Sequence, residues 1–407
     1  MVPDSLSAWA GVDWSMSAHQ VCLVRPTSKP LQHSFPHSHA GLGELTAWLT
    51  AQANTEPAAI GVAIEVPHGP VVAALLAAGF QTFSINPKQL DRFRDRRSLA
   101  GAKDDRLDAL TLADSLRTDT PMFSRVTIAD DLTVALRAAS RRRDVVLADR
   151  LRFANRLLQL LWAAYPDLLA LCPAADEPWL WELLERLSAP TPRPTPRKAT
   201  LRALLAAHRK RNVSADNLAA ALAIPSTLSA AELQAILDDI ACLLPQLKAA
   251  AAALAATERR ITSLLAEAGE TARIVDSMPG IDRVLTAVFL AEAPAALAAA
   301  DLQALRTLCG TAPVTLQSGR SRVVHLRRSC STRLRNAVRH WARTAARCVP
   351  WARLRFTAMR QRGLSFERSL RGLADLLLVR LVACLRSRSL YDPILASRKP
   401  SPDASPA

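Results

Sequence analysis

Ala58–Val66, AAIGVAIEV, is an apolar run that delivers one carboxylate, Glu65, at its far end. A run of this length and composition reads as a buried strand. An unpaired carboxylate inside such a strand is costly, because nothing in an apolar interior replaces its hydration. Trp9–Ser15, WAGVDWS, repeats the pattern with Asp13 near its end. Two strands that each finish on a single acid point to chemistry at a shared strand terminus. Between them, Gln20–Val24 and Gln32–Phe35 read as strands separated by the turn residues Pro26–Pro30, and Leu42–Leu49 as a helix. After Glu65, Gly69 opens a helix through Ala78, and Gln81–Ile85 forms a fifth strand stopped by Asn86 and Pro87.

A third acidic stretch follows at Gly101–Asp108, GAKDDRLD. With a helix beginning near Lys103, Asp105 and Asp108 stand at i and i+3, so their Cβ atoms lie about 5–6 Å apart on one face. Carboxylates in such numbers favour Mg²⁺ or Mn²⁺ over zinc, which leans on Cys and His. Taken alone, the stretch reads more readily as Asp104 and Asp105 favouring the helix N-terminus electrostatically, with Asp108 paired to a neighbouring arginine. Three strands, then helix, strand, helix, strand, helix, is the order of an RNase H-like (RuvC-like) α/β fold. In that fold the first strand, the fourth strand and a late helix bring acids together. Asp13, Glu65, Asp105 and Asp108 occupy those elements, and two metals about 3.5–4 Å apart would serve an in-line phosphoryl displacement. The intervening Lys88–Arg97, KQLDRFRDRR, is read as a phosphate-contacting helix, against the plainer reading of a solvated face.

The chain has 407 residues, half of them hydrophobic, and a net charge of +16. That length implies two or three domains, and that charge a polyanionic partner, nucleic acid first. Met1–Ala10 has no basic segment of a secretory signal, and proline and charge interrupt the alanine-rich runs before they reach the ~20 apolar residues of a membrane span. The seven cysteines form no C-x-x-C pair and are expected to be free thiols, mostly buried, in the reducing cytoplasm of a nucleoid-associated protein.

Beyond residue 128, helical periodicity dominates. Ala129–Ala170 reads as one or two long helices loaded with Arg141, Arg142, Arg143, Arg150, Arg152 and Arg156, either a coiled-coil arm or a nucleic-acid rail. Ala189–Arg197, APTPRPTPR, is a semi-rigid linker, and Ser229 before Ala230 marks a helix start. The expected division is a catalytic α/β domain over 1–128 and a helical coiled-coil region over 129–270 with its linker at 189–197. A mostly α domain over 271–395 and a disordered tail over 396–407 complete it.

The third region carries its own signals. Ile274–Leu290, with Pro279-Gly280 at its turn, has helix-hairpin-helix character that would offer backbone N–H groups to a phosphate; an ordinary helix–helix turn is the rival. Ser318 precedes Gly319 in an expected loop between Pro313 and a basic strand-like segment, Val323–Leu326. From Leu302 to Phe366 there is not one Asp or Glu, while Arg335, Arg339, Arg343 and Arg347 recur every fourth residue beside Leu334, Val338, Trp341 and Ala345. Such unmixed charge repels itself unless a polyanion lies against it. Lys103, Arg320, Arg322, Arg327, Arg328, Arg335, Arg339 and Arg343 are the candidate nucleic-acid contacts.

With these residues in place the chain resembles the DEDD transposases of the insertion-sequence one-hundred-and-ten group, the bridge-RNA-guided serine recombinases. GVDWS with Asp13, AIEVPHGP with Glu65, NPKQLDRFR and KDDRLDA carry the resemblance in the first half. MPGI, LCGTAPVTLQSG, RLRNAVRHWAR and the YDP at Tyr391–Pro393 carry it in the second. The resemblance implies Asp13, Glu65, Asp105 and Asp108 as metal ligands for Mg²⁺, with Mn²⁺ as substitute, and Ser318 as the nucleophile that forms a phosphoserine link to DNA. It also implies a noncoding bridge RNA pairing with donor and target DNA, and a homo-oligomer, dimer or tetramer, in which one subunit's acids meet another's serine. The chain departs from the pattern twice. Asp282 stands where the group has a second glycine after P-G-I, and Gln317 where it often has a first serine, which leaves Ser318 as the natural candidate and Ser321 as the fallback. A metal-dependent structure-specific nuclease acting with water, and an inactive nucleic-acid-binding protein on a degenerate nuclease fold, are the alternative functions.

Overall fold

The acid-bearing strands lie side by side. In the computed structural model, which describes residues 6–97, 104–127, 129–188, 196–319 and 321–393, β1 (Ala8–Trp14) runs parallel to β4 (Ile60–Ile64) with Val12 opposite Ile64. The chain forms two units, Met1–Ala129 and Asp130–Ala407. Lys103, Arg320, residues 189–195 of the proline-rich stretch and the tail over 396–407 lie outside the described residues.

The first unit is a mixed α/β sheet. β2 (Ala18–Val24) and β3 (Leu31–Pro36) continue antiparallel from β1, and after α1 (His39–Ala53) the chain returns to the sheet as β4. Next come α2 (Pro70–Ala77), β5 (Gln81–Ser84), α3 (Pro87–Arg97), α4 (Asp105–Asp119) and β6 (Ser124–Arg125), giving the order β3-β2-β1-β4-β5-β6. This agrees with an RNase H-like arrangement. Every residue of β4 is buried, because α1 and α2 cover one face and α4 the other, and a strand covered on both faces is continuously apolar. β4 ends at Ile64, so Glu65 stands one residue beyond the strand and escapes the cost of burial within it. The two-residue β6 carries no periodicity and has no counterpart among the strands expected from the sequence.

In the second unit, α5 (Asp131–Ala164) leads through the short helices α6 (Pro166–Leu171), α7 (Pro178–Leu187), α8 (Lys198–Ala207) and α9 (Ala215–Ala223) into α10 (Ala230–Glu267). α5 and α10 pack antiparallel: Leu136 and Ala139 meet Ile261 and Leu264, while Leu157 and Leu161 share a core with Ile240 and Leu247. Ser229 and Glu232 form a capping box at the start of α10, which then continues through Pro245 without a break. By length and composition alone α10 is apolar enough to cross a membrane, contrary to the interruption expected at Pro245 and Lys248. Here its leucine face lies against α5. The arginines of α5 are largely paired internally, Arg141 to Glu292, Arg143 to Glu258, Arg150 to Asp176 and Arg152 to Asp149. They describe a helix held in a bundle more than a bare cationic rail.

The remaining helices, α11 (Glu270–Ser277), α12 (Arg283–Glu292), α13 (Pro294–Ala298), α14 (Leu302–Cys309), α15 (Thr332–Cys348), α16 (Pro350–Gln361) and α17 (Phe366–Ser387), surround a core centred on Phe289 and Trp341. A two-stranded hairpin, β7 (Val314–Ser318) and β8 (Ser321–His325), projects between α14 and α15. No disulfide joins any of the seven cysteines, but only Cys22, Cys172 and Cys309 are buried; Cys242 and Cys348 are exposed.

Candidate active site

Gly11 sets the geometry of the acids. A Cβ there would fall 2.1 Å from the Ala109 carbonyl oxygen and 2.6 Å from the Ala113 nitrogen, so only glycine lets α4 lie directly on β1. At the other end of the helix, Leu116 reaches the start of β4 at Gly61. α4 therefore runs antiparallel to β1 and β4, and its N-terminus lies at their C-terminal ends. Two strand residues advance about 6.6 Å and four helical residues about 6 Å, which brings the Asp13 and Asp105 positions level. One step past the Val12–Ile64 pair, the ladder sets Asp13 beside Glu65. Four acids from three elements thus stand at one end of the sheet.

Their environments differ. Asp104 is the N-cap of α4 and accepts from the Arg106 backbone N–H at 3.2 Å. Asp105 is exposed, Asp13 and Glu65 are half-buried, and Asp108 is 1% exposed. A buried carboxylate requires partners, and Asp108 has one: Arg94 donates from Nε to Oδ1 at 2.5 Å and from Nη2 to Oδ2 at 2.8 Å. Arg94 Nη1 also donates to Asp91 at 2.5 Å. Burial alone would lower the Arg94 pKa. The hydrogen bonds and charge of Asp108, with the charges of Asp91 and Glu65, outweigh it and hold the guanidinium above its ordinary range.

An arginine partner for Asp108 is what the plainer reading of the sequence offered, and the structure shows it; which arginine it would be the sequence did not disclose. Its dense charge placed the arginines of α3 toward a phosphate, whereas Arg94 points inward, four residues after buried Leu90 and next to Phe93, which packs against Phe123. That spacing, an arginine at i+4 from a core leucine, was the available signal. The donor set, carboxylates alone with a cationic group already seated on one of them, suits a hard divalent ion. Arg94 supplies the positive charge beside Asp108, and among the described residues no three His, Cys, Asp or Glu side chains are gathered closely enough to hold a metal.

Ser318 belongs to the second unit. It is the last residue of β7, at the tip of an exposed hairpin, and not in a loop as the sequence suggested. Ser321 is its direct cross-strand partner, so both candidate hydroxyls share one face with Leu316 and Val323. Gly319, at φ +54°, opens the turn in the left-handed region that tight hairpin turns use. Arg322 lies on the opposite face, Arg328 is exposed, and Arg327 Nε donates to the Ala312 carbonyl at 3.4 Å at the base.

The arginine stripe of α15 is present as read, with Leu334, Val338, Trp341 and Ala345 buried and Arg339, Arg343 and Arg347 exposed. Arg339 pairs with Glu367. Arg335, Arg339 and Arg371 rim a cavity of about 280 Å³ at the hairpin's base, floored by Leu326 and Leu370. The helix-hairpin-helix element is the rival case. Asp282 caps α12, accepting from Leu285 at 2.8 Å where a phosphate would bind, and Pro279 offers its carbonyl to Trp341 at 2.9 Å.

Two family models match this chain. One described as "Transposase", of the DEDD/IS110 type, covers residues 10–166, and one described as "Transposase IS116/IS110/IS902 family" covers residues 272–357. The first spans all four acids and the second spans Ser318. The chain is 30% identical to the "Mini-circle putative transposase for IS117" of Streptomyces coelicolor, over 96% of this chain and 97% of that protein. It is 41% identical to the "Putative transposase y4uE" of Sinorhizobium fredii over 52% of this chain and 60% of that protein's length. With a 42 kDa protein of insertion element IS900 from Mycobacterium paratuberculosis it shares 26% identity over 95% of this chain and 97% of the relative.

Proposed function

Because this chain belongs to the IS110 family of insertion-sequence transposases, we propose that it cuts and rejoins DNA through a covalent phosphoserine intermediate. Asp13, Glu65, Asp105 and Asp108 are its metal-holding acids and Ser318 its nucleophile. The observation that carries this reading is the convergence of three acid-bearing elements at one end of the first unit's sheet, fixed by the close approach of α4 at Gly11. When bound, Mg²⁺ supplies charge stabilisation to the phosphate and polarises the attacking oxygen.

The rest follows from the chain's own residues. A serine hydroxyl is a weak nucleophile near neutral pH and needs a neighbouring base. The carboxylates supply one, taking the proton as Ser318 Oγ bonds to phosphorus and a strand end leaves. The phosphodiester energy is conserved in the phosphoserine bond, so a hydroxyl of another strand can displace the serine and reseal the backbone. The exposed hairpin presents Ser318 to a phosphate, and the acids reach it within one protomer or from a second copy. Arg322, Arg328, Arg335, Arg339 and Arg343, with Lys103 and Arg320, hold the backbone. A noncoding bridge RNA selects donor and target. In this scheme residues 1–128 are the catalytic domain, 129–270 the helical arm that pairs subunits, and 271–395 the serine-bearing domain.

The test is Ser318→Ala. It is expected to abolish trapped protein–DNA adducts and strand cutting together. Cutting that persists without adducts would return the protein to the class of metal-dependent nucleases that use water.

A further inference from the structure

Arg94 is the residue that the proposed chemistry leaves without a role. Its guanidinium meets both oxygens of Asp108, whose side chain is 2% exposed, and it also holds Asp91 while feeling the charge of Glu65. An arginine fork occupies both carboxylate oxygens in the plane a chelating cation would use. A divalent ion arriving at Asp108 with the fork in place would set two positive groups against one buried carboxylate, with little water to screen them.

We propose that Arg94 is a displaceable counter-ion: it neutralises Asp108 in the metal-free protein and must withdraw from it for a divalent cation to bind. The inference rests on the reading of the four acids as a metal site. Arg94 is then a positioning residue that keeps a buried acid paired and ordered until metal arrives. Its withdrawal loosens α3 from α4, because the Arg94–Asp108 pair is the buried polar tie between the two helices among the described residues, which leaves the packing of Leu90 and Phe93 and the exposed Arg96–Asp119 pair at 3.5 Å to hold α3 down. The exchange makes and breaks no covalent bond.

The experiment measures Mn²⁺ binding to the full-length protein by loss of the free-ion paramagnetic resonance signal, with hydrogen exchange of α3 followed in parallel. R94Q is expected to bind Mn²⁺ about tenfold more tightly than wild type, within the usual range of coupling between sites, and R94K, which keeps the charge without the fork, falls between. In the wild-type protein Mn²⁺ is expected to speed exchange of the α3 amides, a readout independent of whether R94Q folds well. Equal or weaker binding by R94Q, or α3 exchange untouched by Mn²⁺, overturns the inference. Binding that D13N and E65Q abolish while R94Q leaves it unchanged overturns the counter-ion alone. Binding indifferent to D13N and E65Q overturns the metal site as well.

Discussion

Gly11 and Asp108 show at the scale of single residues how the candidate site is built. A methyl group at Gly11 would fall inside the van der Waals radius of two backbone atoms of α4. Gly11→Ala is therefore expected to destabilise the first unit by about 3 kcal/mol, the upper end of overpacking costs, and to reduce strand cutting by moving Asp105 and Asp108 away from Asp13. Thermal melting and cutting assays read both effects, and a stable, fully active variant would show that α4 does not depend on this contact. The place of Asp13 and Glu65 at neighbouring strand ends was legible because a carboxylate inside an apolar strand is costly and is tolerated at its end. Arg94 was not, because a dense run of charge hides an arginine that turns inward. Cysteine behaviour was only partly legible. Burial, with the nearby Cys330, pushes the Cys309 thiol up to about 12, so Cys309 is expected to resist alkylation at neutral pH while exposed Cys242 and Cys348 react.

The second unit's fastening shows at the scale of elements what periodicity leaves out. Long helices such as α5 and α10 announced themselves through apolar spacing and the Ser229–Glu232 cap. Of the hairpin that carries Ser318 only Val323–Leu326 read as strand-like, since nearly every residue of both strands is exposed and such strands have little in–out alternation to read. Nor does sequence reveal which distant charges tie helices together. Glu292 of α12 binds Arg141 of α5 at 3.1 Å and Arg333 of α15 at 2.6 Å. Burial would raise its pKa, but the hydrogen bonds and charges of the two arginines outweigh that and hold it below the ordinary 4.5. A carboxylate depressed in the folded state adds stability that is full above its unfolded pKa and is lost as pH falls through the folded one. The second unit is expected to lose stability on acidification below about pH 4.5, and Glu292→Gln to lower the melting temperature at pH 7 while flattening that acid limb. An unchanged acid limb would remove Glu292 from the account.

The whole molecule carries a net charge of +16, and the 302–366 stretch without a single acid concentrates much of it in the second unit. Nucleic acid is the polyanion that makes this tolerable, and the binding it provides must weaken steeply with salt. If about five arginines of the hairpin and α15 each neutralise a phosphate of duplex DNA, the slope of log affinity against log salt is about −4.5. Arg343→Ala is expected to reduce it by about one, and a slope near zero would exclude a backbone-dominated interface. The family was legible because the motifs that carry the resemblance lie in both halves of the chain, and so was the mixed α/β sheet followed by a mostly helical region. The central helices kept their role obscure, since alanine and leucine at helical spacing specify a helix without specifying its task. The central claim is that a hydroxyl of the hairpin, served by carboxylates of the sheet domain, becomes covalently joined to DNA. Its most direct test is to incubate the protein with insertion-sequence end DNA and Mg²⁺, digest it, and identify the DNA-linked peptide by mass spectrometry. The account predicts a phosphodiester at Ser318 that D13N prevents; cleaved DNA with no linked peptide, or a link at a residue outside the hairpin, would contradict it.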